Sequence, residues 1–167
     1  DDLFGGGADE SVERGVARVQ SLVGPEAVQA QTVQGGHSPG ERRLVSVWGE
    51  RPIVERRSDA PWPAAVPPPA PATVFPAPQP AQVLGAQGQA VSVSERGSIV
   101  GGSPARVLID HQWQEVAAWA GPWPVDERWW DDMAARRVAR FQIVGISGSA
   151  WLMSVAEGEW WLEAVYD

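Results

Sequence analysis

The sequence predicts a mainly β chain, α+β overall, in which a small helix-plus-hairpin module precedes an antiparallel β-sheet or small barrel. Three observations carry that expectation. Apolar residues recur at helical spacing only near the N-terminal end, short alternating runs crowd the C-terminal half, and most of the fifteen prolines gather between them.

Residues 1–8 open with Asp1-Asp2-Leu3-Phe4 and pass into Gly5-Gly6-Gly7. Glycine loses the most backbone freedom on ordering, so this stretch is expected to be a flexible tether. From Asp9 the pattern changes: Val12, Val16, Val19 and Val23 fall on one helical face. Asp9 and Glu10 suit the positive end of the helix dipole, and Gly24-Pro25 stops the helix after Val23. Two strand-like runs, Ala27 to Val33 and Leu44 to Trp48, flank the turn formers Gly35-Gly36-His37-Ser38-Pro39-Gly40. Residues 9–59 are thus expected to be a helix and a hairpin with little area to bury, relying on a neighbouring domain or partner for stability.

Residues 60–85 carry no charge and include Pro61-Trp62-Pro63 and Val66-Pro67-Pro68-Pro69-Ala70-Pro71. Proline lacks a donor and restricts the residue before it, which predicts an extended spacer here. In residues 86–167, six short strands follow at regular spacing: Val91 to Ser94, Ala105 to Asp110, Trp113 to Ala120, Arg137 to Val144, Ala150 to Ala156 and Glu159 to Tyr166. Glu157-Gly158 predicts a tight hairpin between the last two. Gly121-Pro122-Trp123-Pro124 is expected to break the chain, with a helical turn over Asp126 to Met133.

Composition removes several classes of function. The formal charge is -8, and acids outnumber arginines on both sides of the proline-rich stretch, whereas nucleic-acid binding draws its affinity from a basic surface. There is no cysteine for a disulfide or a thiolate metal site, and every basic side chain is an arginine. No apolar run approaches the length of a membrane span and no secretory pattern opens the chain, so a soluble, cytoplasmic protein is expected.

Eight of the ten tryptophans lie between Trp113 and Trp161. A dense indole set fills a core or marks an interaction surface, and in a domain this small the core must take several. Adjacent strand residues such as Trp160 and Trp161 point to opposite faces, so one of them needs a second cover. Stacking on single-stranded bases is the alternative, with Arg136, Arg137 and Arg140 as the nearby basic cluster; Asp131 and Asp132 beside them favour a salt-bridged strand end.

Catalytic patterns are weak. His37 and His111 sit in turn contexts without a second histidine at metal-ligand spacing. Glu159 and Glu163 share a strand face but have Trp161 between them, and Gly5-Gly6-Gly7 follows no strand and lacks the lysine of a phosphate loop. No cofactor is expected.

Several blocks resemble the C-terminal third of the actinobacterial ImuB family of Y-family-polymerase-like proteins. They are Leu3-Phe4-Gly5-Gly6, Ala17-Arg18-Val19-Gln20, Gly24-Pro25-Glu26-Ala27-Val28 and Val47-Trp48-Gly49, then the longer run from Ala118 through Gly121-Pro122-Trp123-Pro124 to Trp129-Trp130-Asp131, and finally Trp160 to Asp167. The resemblance implies a non-catalytic adaptor of translesion synthesis and induced mutagenesis. Its implied partners are the sliding clamp, an ImuA-type protein and an error-prone C-family DNA polymerase. Asp2, Leu3 and Phe4 match the last three positions of the family's clamp-binding peptide, while Asp1 stands where leucine is usual. The candidate partner-facing rings are Trp119, Trp123, Trp129, Trp130 and Trp161.

Overall fold

The computed structural model describes residues 6–127 and 136–166. Asp2, Leu3, Phe4, Trp129 and Trp130 lie outside the described residues, as does most of the stretch expected to form a helical turn. The chain is mainly β, with antiparallel sheets and one long helix. It divides into two compact units: residues up to Gly35 together with Glu41–Ala60, and Gly36–Gly40 together with the chain from Pro61 onward.

In the first unit, helix α1 (Gly6–Val23) begins before the expected Asp9 and takes in Gly6, Gly7 and Ala8, which are therefore not tether; it ends at Gly24, whose φ of 113° is open to glycine without a Cβ clash. A single 3-10 turn, Pro25–Ala27, then leads into the hairpin of β1 (Gln29–Val33) and β2 (Arg43–Val47), paired from Gln29 opposite Val47 to Val33 opposite Arg43. The Gln20 side chain binds the unit together by donating to the carbonyls of Pro25 and Trp48. The valine stripe of α1 is not covered: Val12, Val19 and Val23 are exposed, and no apolar side chain described in this unit is fully buried. A short helical turn, α2 (Pro39–Arg42), connects the two strands.

The second unit is a six-stranded antiparallel barrel. Its strands are β3 (Thr73–Leu84), β6 (Arg106–Ile109), β7 (Gln112–Glu127), β8 (Arg136–Gly145), β9 (Ala150–Ala156) and β10 (Glu159–Tyr166), each paired to the next along the chain, with β10 returning to β3. Between β3 and β6 a small hairpin is inserted, β4 (Ser92–Val93) with β5 (Ile99–Val100). Two connections are two-residue turns with both residues at positive φ, Asp110-His111 and Glu157-Gly158, the geometry that matches the twist of antiparallel strands.

Side-chain alternation fills the barrel. Val83 and Val107, then Ala139, Phe141 and Ile143 from β8, Trp151, Met153 and Val155 from β9, and Trp160 and Leu162 from β10 pack into one cluster. Phe141 and Trp160 meet with ring centroids 5.0 Å apart. Burying rings of this size stabilises by roughly 1.5–3 kcal/mol each, provided their polar atoms are satisfied. That condition is met at Trp160, whose Nε1 donates to the Val91 carbonyl at 2.7 Å.

Two further sequence expectations are corrected. The first concerns residues 60–85, which are not a spacer: the part from Pro61 lies in the second unit and its latter half is strand β3. Backbone N–H and C=O groups point to alternate edges along a strand. Leu84 accepts from Ala105 on the β6 side, so Gln82 and Pro80 also face that side, while Gln79 and Ala81 face β10 opposite Leu162 and Trp160. β6 pairs only Gln82 to Leu84, so Pro80 withholds its donor where no strand needs it. Pro76 and Pro78 fall in a bulge, because Leu162 opposes Gln79 and Ala164 opposes Val74, leaving residues 75–78 across from Glu163 alone. Upstream, residues 61–69 lie along the outer barrel face, where Val66 packs on Leu152 and Ala164 and Gln142 donates to the Pro67 carbonyl.

The second correction is at Gly121-Pro122-Trp123-Pro124, which does not break the chain: β7 runs through it with a bulge between Ala120 and Trp123. Gly121 has φ 120°, and a Cβ there would lie 2.7 Å from the Arg140 carbonyl, so only glycine fits. The residues that signal a break therefore serve to bend a long strand around the barrel.

The alternation in β3 gives a direct test. Pro80→Ala should leave stability within about 1 kcal/mol of the parent, whereas Ala81→Pro, one position away, removes a donor to β10 and should cost about 3 kcal/mol or more. Urea denaturation followed by tryptophan fluorescence distinguishes the two; equal effects would contradict the assignment of edges.

Candidate functional site

The site is built on the outer face of the barrel. Strand register sets a row across it: Trp123 on β7 lies opposite Arg140 on β8, Arg140 opposite Ser154 on β9, Ser154 opposite Trp161 on β10, and Trp161 opposite Pro80 on β3. Directly opposed residues share a face, and Arg140 cannot be inside because its neighbours Ala139 and Phe141 are. Trp123 and Trp161 are both half-buried. They stand at either side of Arg140 and Ser154, which are buried despite facing outward.

Arg140 is held there by Glu163, which projects from the bulge in β10. Its Nε donates to both carboxylate oxygens, at 3.1 and 2.9 Å, and the two side chains retain only 6% and 14% of their exposure. Removing water from two charges is costly, and direct pairing in a low-dielectric setting offsets that cost only when geometry is good. The pair thus satisfies two charges that strand alternation has already turned outward.

The remaining sequence candidates separate. Trp119 turns inward: it packs on the core cluster with its ring 6.1 Å from Phe141, which makes it part of the barrel wall rather than an outward ring. Its position follows from a bulge between Val116 and Ala118, which no local pattern announces. Arg136, Arg137 and Arg140 do not form one basic patch. Arg137 binds both carboxylate oxygens of Asp126 and the Glu95 carbonyl at the strand end, Arg140 is committed to Glu163, and Arg136 is exposed. The Arg137 guanidinium holds Asp126 below the usual carboxylate range. A carboxylate whose pKa is lowered on folding adds stability above its ordinary pKa and loses it as the pH falls through the folded value, so this exposed pair weakens in acid.

His111 occupies its exposed turn as expected, while His37 is half-buried and meets the Trp62 ring edge-on at 5.1 Å. Its Nδ1 lies 2.8 Å from the Pro63 carbonyl, which can only accept, so that nitrogen carries the hydrogen. Glu159 is exposed and Glu163 is paired with arginine, so the two do not form a carboxylate pair of the kind glycosidases use. Among the described residues no group of three histidines and acids is placed to hold a metal ion, and no helix is long and apolar enough to cross a membrane.

The Arg140–Glu163 pair was not foreseen; the signal available was an arginine and a glutamate each on the outward parity of its strand, beside tryptophan. No family model, curated protein or solved structure matches this chain.

Glu163→Ala leaves the Arg140 charge buried without its carboxylate and should destabilise the barrel by about 3 kcal/mol. Replacing both, Arg140→Met with Glu163→Leu, should recover most of that loss, as a double-mutant denaturation cycle would reveal. Similar losses in the single and double variants would mean that the unpaired Arg140 charge is not the source of the loss.

Proposed function

We propose that this chain is a non-catalytic protein-interaction tail of a Y-family-polymerase-like adaptor that acts in the cytoplasm in DNA damage tolerance and induced mutagenesis. The observation that carries this is the outer row, where two half-buried indoles flank a buried, internally neutralised ion pair. Half-buried tryptophan around a desolvated centre is the composition of protein-binding hot spots, which combine large aromatic area with exclusion of water. The resemblance of the Ala118 to Asp131 block and of Trp160 to Asp167 to the ImuB family supplies the partners: an ImuA-type protein, an error-prone C-family DNA polymerase and the sliding clamp.

A stacking surface for single-stranded DNA needs cations beside its rings, and Arg137 and Arg140 are engaged by Asp126 and Glu163. The net charge of -8 acts in the same direction by repelling phosphate. Protein partners face neither obstacle.

The test is capture of the ImuA-type protein or the C-family polymerase by the intact chain. Trp123→Ala and Trp161→Ala should each weaken capture by roughly tenfold or more, as hot-spot truncations do, while circular dichroism stays unchanged. Capture of neither partner, or salt-dependent quenching of tryptophan fluorescence by an oligonucleotide, would count against the role.

Clamp binding is proposed for Asp2, Leu3 and Phe4, because a leucine beside an aromatic residue is the kind of pair that fits an apolar groove. Alanine at Leu3 and Phe4 should reduce the full-length protein's affinity for the clamp without changing barrel stability. Unaltered clamp affinity in surface plasmon resonance would remove those residues from the role.

A further inference from the structure

β1 belongs to a two-stranded sheet, so only one of its edges is paired. The Trp48 amide donates to the Val28 carbonyl and the Gln34 amide to the Arg42 carbonyl, which turns the backbone groups of the even-numbered residues toward β2. Those of Gln29, Gln31 and Val33 therefore point the other way, and among the described residues none of them has a backbone partner. All three residues are exposed. The open row ends at Gly35, the next residue of that parity, which donates to the Arg56 carbonyl at 3.0 Å.

An open strand edge is selective, because it offers a donor and an acceptor at every second residue and only an extended backbone returns both. The barrel avoids such an edge by closing on itself and by placing Pro80 on the side that β6 has left. β1 has neither protection. Its sequence, Gln29-Ala30-Gln31-Thr32-Val33, holds no proline and no charge, and its register with β2 runs through without a bulge. The outer edge of β2 is less available: it carries Arg43, and the Val47 carbonyl is taken by the Glu50 amide.

We propose that the β1 edge pairs with the β1 edge of a second copy of this chain, antiparallel about a two-fold axis at Gln31. In that register Gln29 of one copy lies opposite Val33 of the other, and Gln31 lies opposite Gln31. Every outward residue thus meets an outward residue, and each such pair exchanges two hydrogen bonds. No like charges meet across the axis, which matters in a chain of formal charge -8. The Gln31 side chain carries both donors and an acceptor, so it is complementary to its own copy. Two strands alone are marginal in water, and the pairing joins two hairpins into one sheet. Strands of five residues bury far less than the roughly 1,200 Å² of a stable interface, so the dimer is weak and forms with concentration. The site is independent of the tryptophan row and of the adaptor role.

The intact chain is followed by sedimentation velocity and by amide hydrogen exchange from low to high concentration. A monomer–dimer equilibrium is expected. Protection should appear at Gln29, Gln31 and Val33 as the dimer forms and stay unchanged at Ala30 and Thr32, whose amides already serve β2. Gln31→Lys sets like charges opposite each other and should abolish the dimer, as should Gln31→Glu. Mixing the two variants should restore it as a heterodimer, because the axis places one charge against the other. Neither substitution touches the ladder to β2 or the barrel, so far-ultraviolet circular dichroism should not change. A chain that stays monomeric, protection without the alternation, a mixture no more associated than its components, or growth past a dimer would each overturn the proposal.

Discussion

Closure of the barrel depends on the alternation of backbone groups along β3. A strand rich in proline can hold a sheet together only if its missing donors fall where nothing accepts them, and β3 meets that condition in two ways. Pro80 faces the side that β6 has left, and Pro76 and Pro78 sit in a bulge opposite Glu163. The same bulge turns Glu163 toward Arg140, so the geometry that tolerates proline also positions the buried ion pair. Closure on the β10 side and the parting on the β6 side are therefore two results of one proline pattern.

The aromatic content divides by parity. Trp151 and Trp160 are buried within the barrel, Trp119 lines its wall, and Trp123 and Trp161 remain half-buried outside. Inside, dispersion and hydrophobic burial dominate, and the N–H of the Trp160 indole is met by the Val91 carbonyl. Outside, Arg140 and Glu163 need low water access to interact strongly, and the flanking indoles help provide it. A partner covering those rings would dry the pair further and strengthen it, which links binding at the row to rigidity of β8 and β10.

Much of the barrel was legible because its last strands alternate without interruption. Ala150–Ala156 and Glu159–Tyr166 match their expected bounds, and Glu157-Gly158 forms the expected turn. The helix and first hairpin were also visible from the valine spacing and the glycine-rich connection. The departures share a cause: proline and glycine, local signals for the ends of structure, lie inside strands here. In β3 the decisive property was the edge toward which each proline pointed, and that is set by partners far along the chain. At Gly121 it was a close backbone approach to Arg140, again nonlocal. The tryptophan site was legible only as a composition, since bulges at Val116 to Ala118 and Ala120 to Trp123 decide which rings face outward.

The two units differ in how they are stabilised. The barrel buries a continuous apolar core, whereas the first unit leaves Val12, Val19 and Val23 of α1 exposed and buries no described apolar side chain fully. Its observed ties are polar: Gln20 to the Pro25 and Trp48 carbonyls, Gln34 to Glu41, and Arg56 with Glu41 at 3.3 Å. Such bonds contribute only about 0.5–1.5 kcal/mol each once competition from water is counted, and a single helix with a two-stranded hairpin is marginal without apolar cover. The valine stripe at Val12, Val19 and Val23 is thus a surface whose burial would add to the stability of this unit, while the barrel's stability is already supplied by its own interior.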